Sequence, residues 1–595
     1  MRRLAWIAAV VIATTAAATA RPDAEPTGTW LLSYTGRGTA SEFNICILKV
    51  ESKDGRPTAS VVAAPKGQTV SVKEIKVAGD RVSVVLGNGT FFTGVAGKDK
   101  DVVLGGYGND SVLFRAKLTR TEKDEIASPV TPGKQPAEMA EIAKVASKAN
   151  LLRFKAQQTK EPEEKKALLA EAAAAAKEAD EKLPGLYRDF LKANPDHPVA
   201  ADTALTMLAG AGKFGIKADE ARALVKMIAK RSADYGPDYA RFVTVQAAEG
   251  IAGVKGLEVV AADTLRPIVK TFTDKEPAAN AQVKVLTALK TALTPAGGDE
   301  LKEVDGKLTK LETVLDEEYH KTVPPFTPTK FDGRKDSKAN RAVVMELFTG
   351  AQCPPCVAAD VAFDALGKSY HPKDLVLIQY HMHIPGPDPM TNKDTIARWD
   401  YYSDKFPGAI RGTPSTLFNG TPKAGGGGGM TNAEKKYGDY TSVINPLLEE
   451  STPIKLSGRA TRAGDKVEIA VEYNGVPTGG EAKLRLLLVE DTVKYVGGNK
   501  LRFHHAVVRS MPGGAAGTAL KDKAGKQTTL ADVAKVRADL NKYLDEYAAE
   551  RPFPSAARPL EMTKLQVIAL VQDDASGEIL HAARFDVTPR GPSTE

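Results

Sequence analysis

From residue 27 to 120 apolar and polar positions alternate in short runs: GTWLLSY, FNICILKV, TASVVAA, VSVKEIKV, RVSVVLG, TFFTGVAG, DVVLGGYG and VLFRAKLT. Gly, Asn and Asp separate them at roughly ten-residue spacing. This pattern predicts an N-terminal β barrel or sandwich over 27–120. After a polar linker the period changes. Met139, Ile142, Val145 and Ala146 follow i, i+3, i+6, i+7, and EEKKALLAEAAAAAKEADEKL is dense in helix formers. Residues 136–320 therefore predict an α-helical array of about eight to ten helices, with Asn194-Pro195 as a turn and no strict repeat. A second linker, 321–338, is stiffened by Pro324, Pro325 and Pro328.

Beyond it the two periods interleave. The order is a strand (AVVMELFT), a helix (CVAADVAFDALGKSY), a strand (LVLIQYHMH), a long loop, GTPSTLFNG, a glycine run at 425–429 and a helix near 440–450. This is a βαβ unit followed by a β-rich return over 339–450, an α/β domain. Residues 453–590 alternate like antiparallel strands around one helix near 530–550 and predict a β-sandwich-like domain. The fold class expected is multidomain α+β.

Composition changes this picture little. The chain has 595 residues, 42% hydrophobic and 26% charged, and a net charge of +7 that no tract concentrates. Nucleic-acid binding is not indicated. The first twenty residues matter more. Arg2 and Arg3 precede an apolar run from Leu4 to Ala13, and Ala18-Thr19-Ala20 forms a small-x-small site. This predicts a signal peptide over 1–20 and an exported protein, periplasmic or extracellular, with no membrane span in the mature chain.

The chain has three cysteines. Cys46 sits in an apolar strand and reads as an inert buried thiol. Cys353 and Cys356 form a CPPC where a strand hands over to a helix. A helix N-terminus offers unbonded N–H groups and partial positive charge, and both favour a thiolate, the attacking species. Cys353 is expected at the exposed end of the turn and Cys356 one turn in. Pro354 and Pro355 fit a first turn, where the missing N–H groups have no helical partner.

With Thr413-Pro414 at the head of a later strand, VMELFTGAQCPPC resembles the active-site segment of exported thioredoxin-like (TlpA-like) thiol–disulfide interchange proteins, over about residues 339–450. The resemblance implies a thioredoxin-like domain and exchange on protein thiols. Cys353 attacks or is attacked and Cys356 resolves. Pro414 is cis, and Thr413 shapes the substrate groove. An external redox partner supplies or removes electrons, and neither an organic cofactor nor a metal is needed. Two departures stand out. Gln352 and Pro354 replace the usual Trp and Gly, and Leu347 takes the place of the buried acid. Glu346, one residue earlier, is the candidate proton acceptor for Cys356, or else a solvated strand residue.

Two other readings stay open. One is a non-catalytic binding or scaffold protein with CPPC as a structural disulfide. The other is copper or zinc handling, with His381 and His383 on one strand face joining the cysteines. The blander expectation is that both histidines pin the loop 384–395. His504-His505 reads as structural. The glycine run lacks a Lys-Ser/Thr ending and reads as a flexible loop rather than a phosphate cradle.

Overall fold

A computed structural model describes residues 27–589, except 54–55, 98, 110–111, 160, 274–277 and 556. The expected signal peptide lies outside these residues. The chain forms two compact units, Met1–Leu315 and Asp316–Glu595. Both contain helices and sheets. Among the described residues no helix is long and apolar enough to cross a membrane.

In the first unit eight antiparallel strands form a near-barrel. They are β1 (Gly28–Thr35), β2 (Glu42–Lys53), β3 (Arg56–Ala63), β4 (Val72–Ala78), β5 (Arg81–Leu86), β6 (Phe91–Ala96), β7 (Val102–Asn109) and β8 (Val112–Arg120). Their order is β3-β2-β1-β8-β7-β6-β5-β4, so pairing of β1 with β8 brings the two halves of the meander together. Alternate side chains fill the inside: Trp30, Leu32, Cys46, Leu48, Val84, Phe92 and Leu118 share one core. Arg120 lies over the Trp30 ring at 4.5 Å. The linker that follows is not wholly irregular, because β9 (Val130–Thr131) pairs with β2.

The helices are α1 (Ala137–Gln158), α2 (Pro162–Ala193), α3 (Ala200–Ala209), α4 (Ala218–Ser232), α5 (Pro237–Glu249), α6 (Glu258–Val269), α7 (Ala279–Leu293) and α8 (Asp299–Thr322). Near-barrel and array are not independent. Leu113 of β8 joins the helical core, and Arg115 of β8 pairs with Asp202 of α3 at 2.8 Å, both buried. Two charges taken from water in this way hold only as a pair.

The second unit is built on one 12-stranded sheet. Its strands are β10 (Val343–Thr349), β11 (Leu375–His381), β12 (Ser415–Phe418), β13 (Thr421–Pro422), β14 (Lys455–Ala463), β15 (Lys466–Asn474), β16 (Ala482–Lys494), β17 (Phe503–Ser510), β18 (Thr518–Ala519), β19 (Ala524–Asp532), β20 (Leu565–Asp573) and β21 (Ile579–Pro589). Its helices are α9 (Val357–Ser369), α10 (Lys393–Lys405), α11 (Ala433–Leu447) and α12 (Val533–Glu550). The order runs β13-β12-β10-β11-β17-β16-β20-β21-β14-β15-β19, with β18 on β16. β10 and β11 are parallel, joined by α9, whereas β12 runs antiparallel to β10. Strands of 453–590 thus continue the sheet of 339–450 through the parallel contact of Gln379 with Val507. The reason is burial: β11 is covered on both faces and needs a neighbour on its outer edge.

β10 is buried at all seven positions. Val343, Met345 and Leu347 pack with α9 and α11. Val344 and Phe348 face the other way, into a core with Tyr380 and Tyr402. This parity decides which side chains reach the cysteine turn.

Candidate redox site at the CPPC turn

After β10 the chain turns through Gly350, Ala351 and Gln352. Pro354–Cys356 form a single 3₁₀ turn leading into α9. The two prolines are exposed, as first-turn prolines can be. Cys353 and Cys356 are joined in a disulfide, with Cα atoms 5.3 Å apart. The Thr413–Pro414 peptide is cis. Thr413 stands directly on the first sulfur: its carbonyl oxygen lies 3.5 Å and its hydroxyl 3.4 Å from Cys353 Sγ. A disulfide has no S–H, so the carbonyl contact is simple apposition. The hydroxyl donates its one proton either to that sulfur or to the Ile384 carbonyl at 3.2 Å. The turn, Thr413 and Pro414 therefore come together.

Three expectations need correcting. Cys353 is not at an exposed end; it is 1% exposed, and Cys356 is fully buried. The N–H groups at the helix start are not free either. Cys356 N–H donates to Cys353 O, Val357 N–H to Pro354 O and Ala358 N–H to Gly428 O. The glycine run is not a loose loop but a fitted strap. Gly428 N–H donates back to Pro355 O at 2.6 Å. A Cβ on Gly427 would sit 1.9 Å from that same oxygen and 2.7 Å from Pro414 Cγ. Only backbone without a side chain fits against the cysteine turn there.

Gln352, which stands in the Trp position, has a task of its own. Its Oε1 accepts from Gly498 N–H at 3.0 Å, while Ala351 O accepts from Asn499 N–H. The segment after β16 is thereby held on the cysteine loop.

Glu346 is a fourth correction. Strand alternation turns it to the face away from α9. There it pairs with Arg398 of α10 at 2.8 Å and accepts from the hydroxyls of Tyr380 and Tyr402, fully buried. It is neither solvated nor a proton acceptor for Cys356; it is half of an internal ion pair.

The acid on the α9 face is Asp360, which sequence reasoning passed over. It is 2% exposed, and its carboxylate atoms lie 2.8 Å from Thr349 Oγ1 and 2.9 Å from Gln379 Nε2. Burial raises its pKa well above the ordinary carboxylate value. The negative charges of Asp364 and Asp388 add to this, and the bonds from Thr349 and Gln379 oppose it. The available signal was its position four residues after Cys356 on a predicted helix, the only charge in the apolar run VAADVAF.

Gln379 continues to His381, whose Nε2 is 3.1 Å from Gln379 Oε1 and whose Nδ1 is 2.8 Å from Asp388 Oδ2. Asp388 also accepts from Ala351 N–H at 2.6 Å and Met390 N–H at 2.8 Å. Burial works against its ionisation, but His381 and these N–H groups outweigh it and leave the pKa below the usual value. His504 meets His381 edge-on at 4.8 Å and donates to Tyr495 O. Burial drags its pKa to about 3. His504 is thus part of this site rather than a remote structural residue.

His381 and His383 do not share a strand face, since β11 ends at His381. His383 Nδ1 accepts from Asp388 N–H, its Nε2 bonds the Tyr543 hydroxyl, and its ring stacks on Tyr547 at 3.6 Å. With both nitrogens engaged, it does not join the cysteines as a ligand set. Among the described residues no group of three or more His, Cys, Asp or Glu is placed to hold a metal ion.

The sequence matches no protein-family model and no curated protein. Among solved structures it is similar to HBP35 of Porphyromonas gingivalis, at 13% identity, covering 44% of this chain and 80% of that one, with a TM-score of 0.30. It is also similar to wild-type OgpA from Akkermansia muciniphila, at 11% identity, covering 44% and 97%, with a TM-score of 0.12. Likenesses this weak fix neither the fold nor the function of this chain.

Proposed function

We propose that residues 339–450 form a thioredoxin-like domain in an exported protein, periplasmic or extracellular, and that it exchanges disulfides with protein thiols. The observation that carries this reading is the Cys353–Cys356 disulfide at a strand-to-helix turn, faced by Thr413 and the cis Pro414. The order β13-β12-β10-β11, with α9 joining the parallel pair and α11 closing on it, supports it. A substrate thiolate attacks Cys353 Sγ, the Sγ–Sγ bond breaks, and the electron pair leaves on Cys356. In the reverse direction Cys356 displaces the substrate sulfur from Cys353. A second thiol–disulfide partner returns the pair to its starting state. The test is Cys353→Ser, which abolishes insulin reduction and thiol oxidation; unchanged activity overturns the reading.

The 1% exposure of Cys353 favours a second reading, a permanent disulfide in a binding or scaffold protein. Equilibration with glutathione separates the two. A permanent disulfide has a potential below about −300 mV and stays oxidised, whereas an exchanging one titrates.

A further inference from the structure

A cavity of about 230 Å³ lies within the first unit, where β8 of the near-barrel meets α3, α4 and α5. Ala201, Leu205, Ile228 and Val243 form its apolar wall. All four are buried, so the wall belongs to the packed interior rather than to the surface. Two polar side chains interrupt it: Arg115, 5% exposed, and Tyr239, 4% exposed.

Arg115 carries five N–H groups and makes one hydrogen bond to the protein, from Nη2 to Asp202 at 2.8 Å. Asp202 also accepts from Gly38 N–H at 3.2 Å, so the loop after β1 fixes the carboxylate and the carboxylate fixes the guanidinium. The Tyr239 hydroxyl meets no hydrogen-bond partner among the described residues, and burial keeps it protonated. Its ring is held as well. It lies against Gly106 of β7, where a Cβ would sit 3.1 Å from it, and against the tilted Tyr235 ring at 5.4 Å. Neither that hydroxyl nor the unused guanidinium nitrogens are sealed inside the protein, and both side chains line the cavity. A buried donor left unmatched costs more than a made bond returns. The floor therefore presents donors in excess, on side chains already in place, and calls for acceptor oxygens.

Charge and size narrow what could supply them. Arg115 and Asp202 cancel in the interior. At the mouth Lys230 and Arg231 stand with Asp196 and Asp234, at or near the surface, where water and salt screen them. No surplus of positive charge awaits a phosphate dianion. A single carboxylate suits the planar guanidinium, which takes two oxygens side by side. A cavity of roughly 150 Å³ is enough for a benzene ring, so this one has room for a ring or a branched chain with a carboxylate attached.

We propose that this cavity binds a small monocarboxylate with a compact apolar tail, its carboxylate on Arg115 and Tyr239 and its tail on Leu205, Ile228 and Val243. The site lies wholly in the first unit and does not rest on the exchange reading. The carboxylate can come from a free acid or from the last residue of a peptide, and the two share the same recognition.

The test is calorimetric titration of the full chain with hydrocinnamate and isocaproate, beside the amide of hydrocinnamate and a Gly-Gly-Phe peptide with a free or an amidated C-terminus. At least one acid, or the free peptide, is expected to bind at one site with a Kd below about 1 mM, and its amide about tenfold or more weaker. Binding of the peptide as tight as that of the acids makes a chain terminus the source; its exclusion makes it a free acid. Arg115→Lys keeps the charge facing Asp202 but loses the planar fork, and is expected to weaken binding about tenfold or more. Tyr239→Phe removes one hydroxyl, leaves the ring packed, and weakens binding several-fold. Ala201→Leu fills the cavity without touching either polar group and abolishes binding, so the two milder variants decide the matter even if Arg115→Lys fails to fold. Absence of saturable binding by every carboxylate overturns the proposal. So does an amide that binds as tightly as its acid, or binding that survives Tyr239→Phe and Ala201→Leu unchanged.

Discussion

Gly427 and Pro355 are in backbone contact across the cysteine turn, so closely that a Cβ on Gly427 would lie 1.9 Å from the Pro355 carbonyl oxygen. The neighbouring bonds, Gly428 N–H to Pro355 O and Ala358 N–H to Gly428 O, fasten the strap from both sides. A methyl group there forces backbone, not a flexible side chain, to move. Gly427→Ala is expected to lower stability by about 1–3 kcal/mol and to speed reduction of the disulfide, because the displaced strap uncovers the turn. Thermal unfolding and the rate of reduction by dithiothreitol check both. A variant that is destabilised but reduced no faster shows that the strap does not limit access.

Glu346 and Arg398 are an internal pair with no exposed atom to relax into water. Removing one charge strands the other. Arg398→Met is expected to destabilise the protein by about 3–5 kcal/mol, and Glu346→Gln by less, since the amide oxygen still accepts from one of the two tyrosine hydroxyls that the carboxylate oxygens now share. The double change Glu346→Leu with Arg398→Met recovers part of the loss. Urea titration of the wild type, Arg398→Met, Glu346→Leu and the double variant gives the coupling. Glu346→Gln is expected to keep the rate of disulfide reduction, because its carboxylate lies on the face of the sheet away from α9.

Glu346 and Asp360 mark how far the sequence could be read. The CPPC turn is local, so spacing and neighbours were enough to place it between a strand and a helix. Strand parity is not local. Which face Glu346 takes depends on where the sheet lies relative to α9, and one residue of register reverses the answer. Asp360 looked like an ordinary helix charge because nothing in VAADVAF says that every side of that helix is covered. The glycine run carried composition but no partner, so its fit against Pro355 was invisible. The joining of 453–590 to the sheet of 339–450 rests on a short parallel contact between strands more than a hundred residues apart, and no periodicity encodes it.

Cys46 lies in the near-barrel core with no exposure, and burial pushes its pKa to about 12. Its thiolate is therefore almost unpopulated at neutral pH. Cys46 is expected to stay unlabelled by a thiol reagent in the native protein, oxidised or reduced, and to react only on unfolding. Counting thiols with and without denaturant checks this. Fast labelling of Cys46 in the native state would mean that the near-barrel opens readily.

Burial also sets the acid limb of stability in the second unit. The pKa of His383 is lowered to about 4 and that of His504 to about 3, in each case mainly by desolvation, against an ordinary value of about 6.5 in the unfolded chain. Groups with a depressed folded pKa contribute stability that is complete above the unfolded value and is lost as pH falls toward the folded one. Each histidine is therefore expected to withdraw up to roughly 1.4 kcal/mol per pH unit between about pH 6.5 and its folded value. The half-buried acid Asp364 runs the other way. Its pKa is raised to about 6, so its contribution is complete below the unfolded carboxylate value of about 4 and is lost between there and about pH 6. The two effects oppose each other between pH 4 and 6. His504→Gln is expected to flatten the fall in stability on acidification, and Asp364→Asn to steepen the net fall by removing the opposing slope. Urea unfolding at half-unit steps from pH 4 to 7 separates them. A His504→Gln profile parallel to wild type would show that this imidazole already carries its proton in the folded protein.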